Sequence, residues 1–319
     1  MCTINRTVFF FALIFLSIYG HSNQLAAQTL PLVKESAQEK PFSFPLQLEM
    51  RVPFDPTVFT NESKPHLIYE LYLTNFSSKP ISLRRIKLVD NNKNKDQAIA
   101  AFDSLQLQSM VQPSGEAGAD KLALAGGQAT IVFIEVILAA GQNFPKKLIH
   151  RISTETESLD GAIISTRWSK LQVLAAPIHG ANWTAADGPG NSEYNHHRRG
   201  SIILEGRAIN SRRYAIDWKK FRDSVSFSGD PKDVHSYFCY GKPVFAVADG
   251  RVISAKDGLL NNIPGHGTAF HPAIPLTFDR LAGNSIVIDL GNGHYAHYMH
   301  LQSGSLRISQ EIGSTRARC

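Results

Sequence analysis

Between residues 41 and 177 apolar and polar positions alternate in short runs divided by polar turns. FPLQLEMRV (44–52) is the first such run and HLIYELYLTNF (66–76) the second. In the second run Leu67, Tyr69, Leu71 and Leu73 stand opposite Ile68, Glu70 and Tyr72, because successive side chains of a strand point to opposite faces. ISLRRIKLV (81–89), QATIVFIEVIL (128–138), KLIHRIS (147–153) and AIISTRWSKLQVL (162–174) continue the pattern. Short alternating strands with regular turn signals predict a mainly β protein whose first part is an immunoglobulin-like β-sandwich. That region holds no cluster of His, Asp or Cys, so it reads as a structural or docking module.

The stretch HGANWTAADGPGNSEYNHHRRG (179–200) is dominated by Gly, Asn, Asp, Ser and Pro and predicts loop. Beyond it the pattern turns strand-rich again. Hairpin signals stand at Asp249-Gly250 and Gly291-Asn292-Gly293. Between them runs a long loop, 257–284, carrying His266 and His271, and a loop of that length in a compact domain tends to be functional. The expected organisation is a sandwich over 28–178, a linker over 179–200 and a second antiparallel β domain over 201–319.

The first residues read as an address. One basic residue, Arg6, precedes the uncharged run TVFFFALIFLSIYG, and a polar segment with Ala26 and Ala27 follows. This is the layout of a signal peptide over 1–27, and the run is short of the about twenty residues a spanning helix needs. The expected location is secreted or periplasmic, with no membrane contact after cleavage. A net charge of +6 without a basic stripe interleaved with aromatics sets nucleic acid aside. Three cysteines exclude a disulfide scaffold, and a Cys239–Cys319 bridge is open to an oxidising compartment without being demanded. Histidine is the informative residue: nine of the 12 lie between His179 and His300. It is the commonest metal ligand and acid–base residue, so that skew asks for a chemical cause.

Three stretches carry the chemistry. HHRR (196–199) followed by RRYAIDW (212–218) is the first, GKPVFAVADGRVISAKDG (241–258) the second, and GNSIVIDLGNGHYAHYMHLQSGSL (283–306) the third. Together, over about 195–313, they resemble the lysostaphin-type, or LytM-like, zinc metallopeptidases that cut peptide bonds in bacterial cell walls. The resemblance implies a duplicated hybrid motif fold, a Zn2+ cofactor and a peptidoglycan peptide as substrate, with the sandwich free to hold a protein partner. It makes Asp217 a zinc ligand and His300, at the Y-x-H-L position, a catalytic histidine of the groove. The family completes its site with a histidine four residues before the aspartate and with a later H-x-H.

Two departures stand out. Arg213 occupies the place four residues before Asp217, so the upstream ligand is sought in His196 or His197, and His197 is preferred. A hairpin through 201–211 could bring the chain back to Asp217, since loop closure costs rise slowly with length. No H-x-H follows His300, so on the resemblance the site is expected to lack its third ligand and to stop about one strand pair short, roughly 20–30 residues. A wall-binding or regulatory member without catalysis therefore stands beside the endopeptidase. A phosphate-accepting carrier using His300 is a third option, opposed by the leader. Blander roles exist for each residue: Asp217 paired with Arg212, His300 satisfied in a core, His197 solvated in a polar loop. Read by strand parity, Arg213, Ala215 and Asp217 share a face, as do His294, Ala296, Tyr298 and His300. His297 then points away as a structural or surface residue. His235, His266 and His271 read as exposed loop residues, Asp249 and Asp289 as turn and strand-end residues, and Cys319 has little weight as a ligand.

Overall fold

The structure is a computed structural model, and it describes residues 44–92, 97–112, 120–168, 171–265, 271–307 and 316–317. The leader over 1–27, His266 and Cys319 lie outside the described residues. Among these residues no helix is long and apolar enough to cross a membrane.

The chain is mainly β, in several antiparallel sheets. In order it forms β1 (Leu48–Arg51), β2 (Thr57–Asn61), β3 (Lys64–Asn75), β4 (Ile81–Ser82), β5 (Arg85–Asp90) and β6 (Ala98–Asp103). A helix, α1 (Ser104–Met110), is followed by β7 (Ala123–Leu124), β8 (Ala129–Ile137), β9 (Lys147–Ser153), β10 (Ser158–Ser165) and β11 (Arg167–Trp168). Then come β12 (Trp183–Asp187), β13 (Ser201–Leu204), β14 (Arg207–Asn210), β15 (Asp217–Lys220), β16 (Gly250–Lys256), β17 (Ser285–Gly291), β18 (His294–Tyr298) and β19 (Arg316–Ala317).

The long strand β3 organises the first part. One edge is shared by β1 and β2, and the other pairs with β8 from His66–Ile137 to Thr74–Ala129. A second sheet runs β10-β9-β5-β6. The two sheets close on one core: Leu67, Leu71 and Leu73 of β3 join Ile86, Leu88, Leu148 and Ile152 of the other sheet, all fully buried. Each such side chain contributes about 1.5–3 kcal/mol by leaving water. The alternation read from 66–76 is the one observed. The other face of β3 and β8 is also buried, around Tyr72, Ile131 and Phe133, with Ala208 packed against it. This explains why β8 reads ATIVFIEVI rather than a clean alternation.

That second face is covered by the stretch expected to be a linker and by the hairpin after it. Arg198 is buried with its guanidinium 4.4 Å over the Phe133 ring. It donates to the carbonyls of Ser109 (2.8 Å) and Val111 (3.1 Å), at the C-terminal end of α1. Arg213 is buried on the same ring, 5.6 Å from its centroid, and donates to Glu70 of β3. Arg51 reaches the carbonyl of Ala208 at 3.0 Å. Residues 179–200 hold a strand, β12, and a 3₁₀ turn, His196–Arg199. The loop expectation fails there because the pairing partner of β12 is β15, about thirty residues on, which no local pattern reports.

His150 in β9 is a satisfied core histidine. Its Nδ1–H donates to the Ala162 carbonyl and its Nε2 accepts from the Tyr69 hydroxyl, each at 2.8 Å. Burial lowers its pKa to about 4, against a smaller upward pull from the Ala162 and Gly161 backbone. A histidine whose folded pKa is depressed takes up a proton first in the unfolded chain. Stability is therefore present above its ordinary pKa of about 6.5 and is lost as pH falls towards 4. The stability advantage of the wild type over His150→Gln is expected to shrink by about 3 kcal/mol between pH 7 and pH 4. Urea unfolding at both pH values measures it, and an unchanged difference refutes it.

Candidate metal centre

Asn195 starts the site. Its Oδ1 accepts from the His197 backbone N–H at 3.0 Å, and its side-chain amide donates to the carbonyls of Gly188 and Gly190. An asparagine in this role satisfies an orphan donor and fixes the first turn, here the 3₁₀ turn His196–Arg199. The hairpin β13–β14 then carries the chain out and back, as expected for 201–211. Its tip is Glu205-Gly206, both at positive φ (49° and 75°), the pairing that matches strand twist in a two-residue hairpin. The Ser211 backbone N–H donates to the Gly200 carbonyl at 3.0 Å and the Asn210 side chain to the Arg198 carbonyl at 3.2 Å, so the hairpin base is tied to the turn.

Asp217 opens β15 and stands across from Asp187 of β12. Its two oxygens meet the two histidines: His197 Nε2 lies 3.2 Å from Oδ1, and His196 Nε2 lies 3.5 Å from Oδ2. The imidazoles meet edge to face with centroids 4.4 Å apart. One donor atom from each of His196, His197 and Asp217 falls within 4.8 Å of the others, so the group could hold a metal ion. Two imidazoles and one carboxylate are a donor set suited to zinc and its neighbours. His197 is 2% exposed, and its Nδ1 has no hydrogen-bond partner. An unsatisfied buried ring nitrogen is costly, and the Nε2 of the same ring is the atom turned towards Asp217.

The structure thus brings together the two predicted ligands, His197 and Asp217, and adds His196. It places neither Arg212 nor Arg213 beside Asp217. Arg213 and Ala215 are not on a strand, since β15 begins at Asp217. The parity reading of 213–217 is therefore corrected: this segment is a turn that delivers the Arg213 guanidinium to Glu70.

His300 lies outside the three-residue group. β18 ends at Tyr298, and His300 takes a left-handed conformation with φ 57°, so it does not share a strand face with His294 and Tyr298. The parity argument fails because the strand stops two residues early. The turn is pinned instead: the His300 N–H donates to the Ala282 carbonyl and the Leu301 N–H to the Asn284 carbonyl, each at 2.9 Å. The buried Asn284 side chain donates to the carbonyls of Leu259 and Leu301 and accepts from the Leu259 N–H. His300 lines a groove of about 1310 Å³ with Tyr240, Leu259, Leu281 and Asn284. Desolvation by the surrounding chain lowers its pKa although the ring keeps solvent contact, and the nearby Asp217 carboxylate opposes this. His297 was expected to face away, yet His300 contributes, after desolvation, to lowering the pKa of His297.

No family model matches the chain, and no curated protein or solved structure matches it.

Among the described residues the remaining histidines stay outside the group. His235 contacts Asp233 at 2.8 Å, and His271 is exposed in a bridge with Ile263. Asp289 accepts from the Gly291 N–H at 2.9 Å, a strand-end role. Asp249-Gly250 is not a hairpin tip, because β16 starts at Gly250 and pairs with β17 more than thirty residues on. A Cβ at Gly250 would lie 2.5 Å from the Asp289 carbonyl, so glycine is needed there for close strand approach. Sequence reasoning missed Asn195, Asn284 and Asp187. Asp187 had one signal, the short WTAAD run inside the Gly-rich stretch.

Proposed function

We propose that the chain is a secreted zinc metalloendopeptidase that hydrolyses peptide cross-links of peptidoglycan, an immunoglobulin-like β-sandwich followed by a LytM-like domain. The observation that carries this reading is the convergence of His196, His197 and Asp217 in a half-open site. The ordered motifs at 212–218, 241–258 and 283–306 supply the reaction class. Bound by these three residues, zinc would supply a Lewis acid that acidifies water and polarises the scissile carbonyl.

The chain's own residues do the rest. Asn195 and the β13–β14 hairpin fix the ligand turn. The groove beside His300 accepts an extended peptide. Its lowered pKa leaves the His300 imidazole neutral near pH 7, able to take a proton from the attacking water and pass it to the leaving amine. Purified protein is expected to bind about one zinc per chain and to release soluble fragments from peptidoglycan. Chelation should abolish release, and added zinc should restore it. No bound zinc and no release overturn the proposal. Binding to peptidoglycan without release, unchanged by Asp217→Ala, assigns a wall-binding or regulatory role instead.

A further inference from the structure

We infer that Asp187 is the positioning residue that aims His196 at the metal centre; this rests on the metal-site reading above, in which His196 is a ligand. The geometry of His196 supports it. Its Nδ1 lies 3.3 Å from Asp187 Oδ2 and its Nε2 lies 3.5 Å from Asp217 Oδ2. A carboxylate this close behind Nδ1 favours the tautomer that leaves Nε2 free to ligate. Metal-binding histidines commonly have such an acceptor behind them, and losing it typically costs 10–100-fold in metal affinity.

The backbone builds this relation in. Asp187 and Asp217 are register partners across β12 and β15, so the two carboxylates flank the space into which the 3₁₀ turn projects His196. That turn advances about 120° per residue, which lets adjacent histidines reach one carboxylate from different sides. His197 enters from the buried side with no hydrogen bond at Nδ1. His196 enters from the solvent side with its Nδ1 turned to Asp187. Three candidate ligands and the carboxylate behind one of them are thereby assembled within 187–217.

The test is cobalt(II) and zinc binding by the full chain, with affinity read by competition against a chromophoric chelator. Tetrahedral geometry is read from the cobalt visible absorption. Wild type is expected to show the tetrahedral spectrum. Asp187→Asn, nearly isosteric, should weaken zinc about 10–100-fold, and His196→Ala should weaken it further and change the spectrum. In the His196→Ala background, Asp187→Asn should have no additional effect. Wild-type affinity in Asp187→Asn or in His196→Ala overturns the inference and leaves the metal site with other ligands. An additive effect in the double variant also overturns it, because Asp187 would then act other than through His196. If the wild type binds no metal, the metal-site reading itself falls. Circular dichroism of each variant separates lost affinity from lost fold.

Discussion

Replacing Arg213 with alanine is expected to destabilise the protein by about 3–5 kcal/mol, the range for breaking a buried ion pair from one side. Arg213 is 4% exposed and is held by three partners: the Glu70 carboxylate, the Pro189 carbonyl and, at 2.6 Å, Asn191 Oδ1. Burial pushes the Glu70 carboxyl up in pKa, and Arg213 is the main opposing influence. Without the guanidinium Glu70 has no counter-charge in a low-dielectric pocket. It would hold a proton more readily, which limits the loss without removing it. A carboxyl whose folded pKa rises contributes stability at low pH and loses it as pH increases through that pKa. The gap between Arg213→Ala and wild type should therefore narrow towards acid. Urea midpoints of Arg213→Ala, Glu70→Gln and the double variant measure the coupling. A single-variant loss below about 0.5 kcal/mol, within the range of an ordinary surface change, excludes a structural ion pair.

Arg213 also bears on the metal centre. It anchors Pro189 and Asn191, and Asn195 holds the neighbouring Gly188 and Gly190 while capping the turn that carries the histidines. The face of β3 and β8 is thus a platform for the ligand turn. Within the HHRR run His197 and Arg198 are both buried, one towards Asp217 and one over Phe133.

The limits of sequence reading follow from distance along the chain. The faces of β3 were legible because alternation is local, and β9 was located residue for residue. Strands β2 and β6 were missed because they are short and lie among Asp, Pro, Asn and Lys. Glu70 looked like an ordinary outward residue of β3, since its partner stands 143 positions away. Asp217 was named through motif order, and His197 as one of two adjacent histidines upstream of it. His196 was weighed beside His197 and nothing local separated the two, whereas a 3₁₀ turn lets both meet Asp217. His300 was named by its resemblance to the Y-x-H-L position, and it lines a groove, but the strand argument given beside it fails. Its position depends on Asn284 and on a left-handed turn that parity cannot register.

On the proposed activity, His300→Ala and Asp217→Ala should fail in different ways. His300 lies outside the ligand group, so His300→Ala is expected to keep near-wild-type zinc affinity while the rate of peptidoglycan hydrolysis falls by about 10²–10⁴, the range for a lost general acid–base group. Asp217→Ala removes the carboxylate both imidazoles approach and should lose metal and activity together. The pH profile gives a second separation. Desolvation lowers the His300 pKa, and Asp217 opposes it. The imidazole is thus unprotonated at neutral pH, and the rate should fall as pH drops through that lowered value. His297, itself shifted down chiefly by desolvation and also by His300 and Lys256, stays in place in both variants. The acid limb should therefore vanish in His300→Ala only if it belongs to His300. Equal loss of zinc in the two variants would make His300 a ligand or a structural support. An undiminished rate in His300→Ala would remove it from the proton path and leave the groove with binding alone.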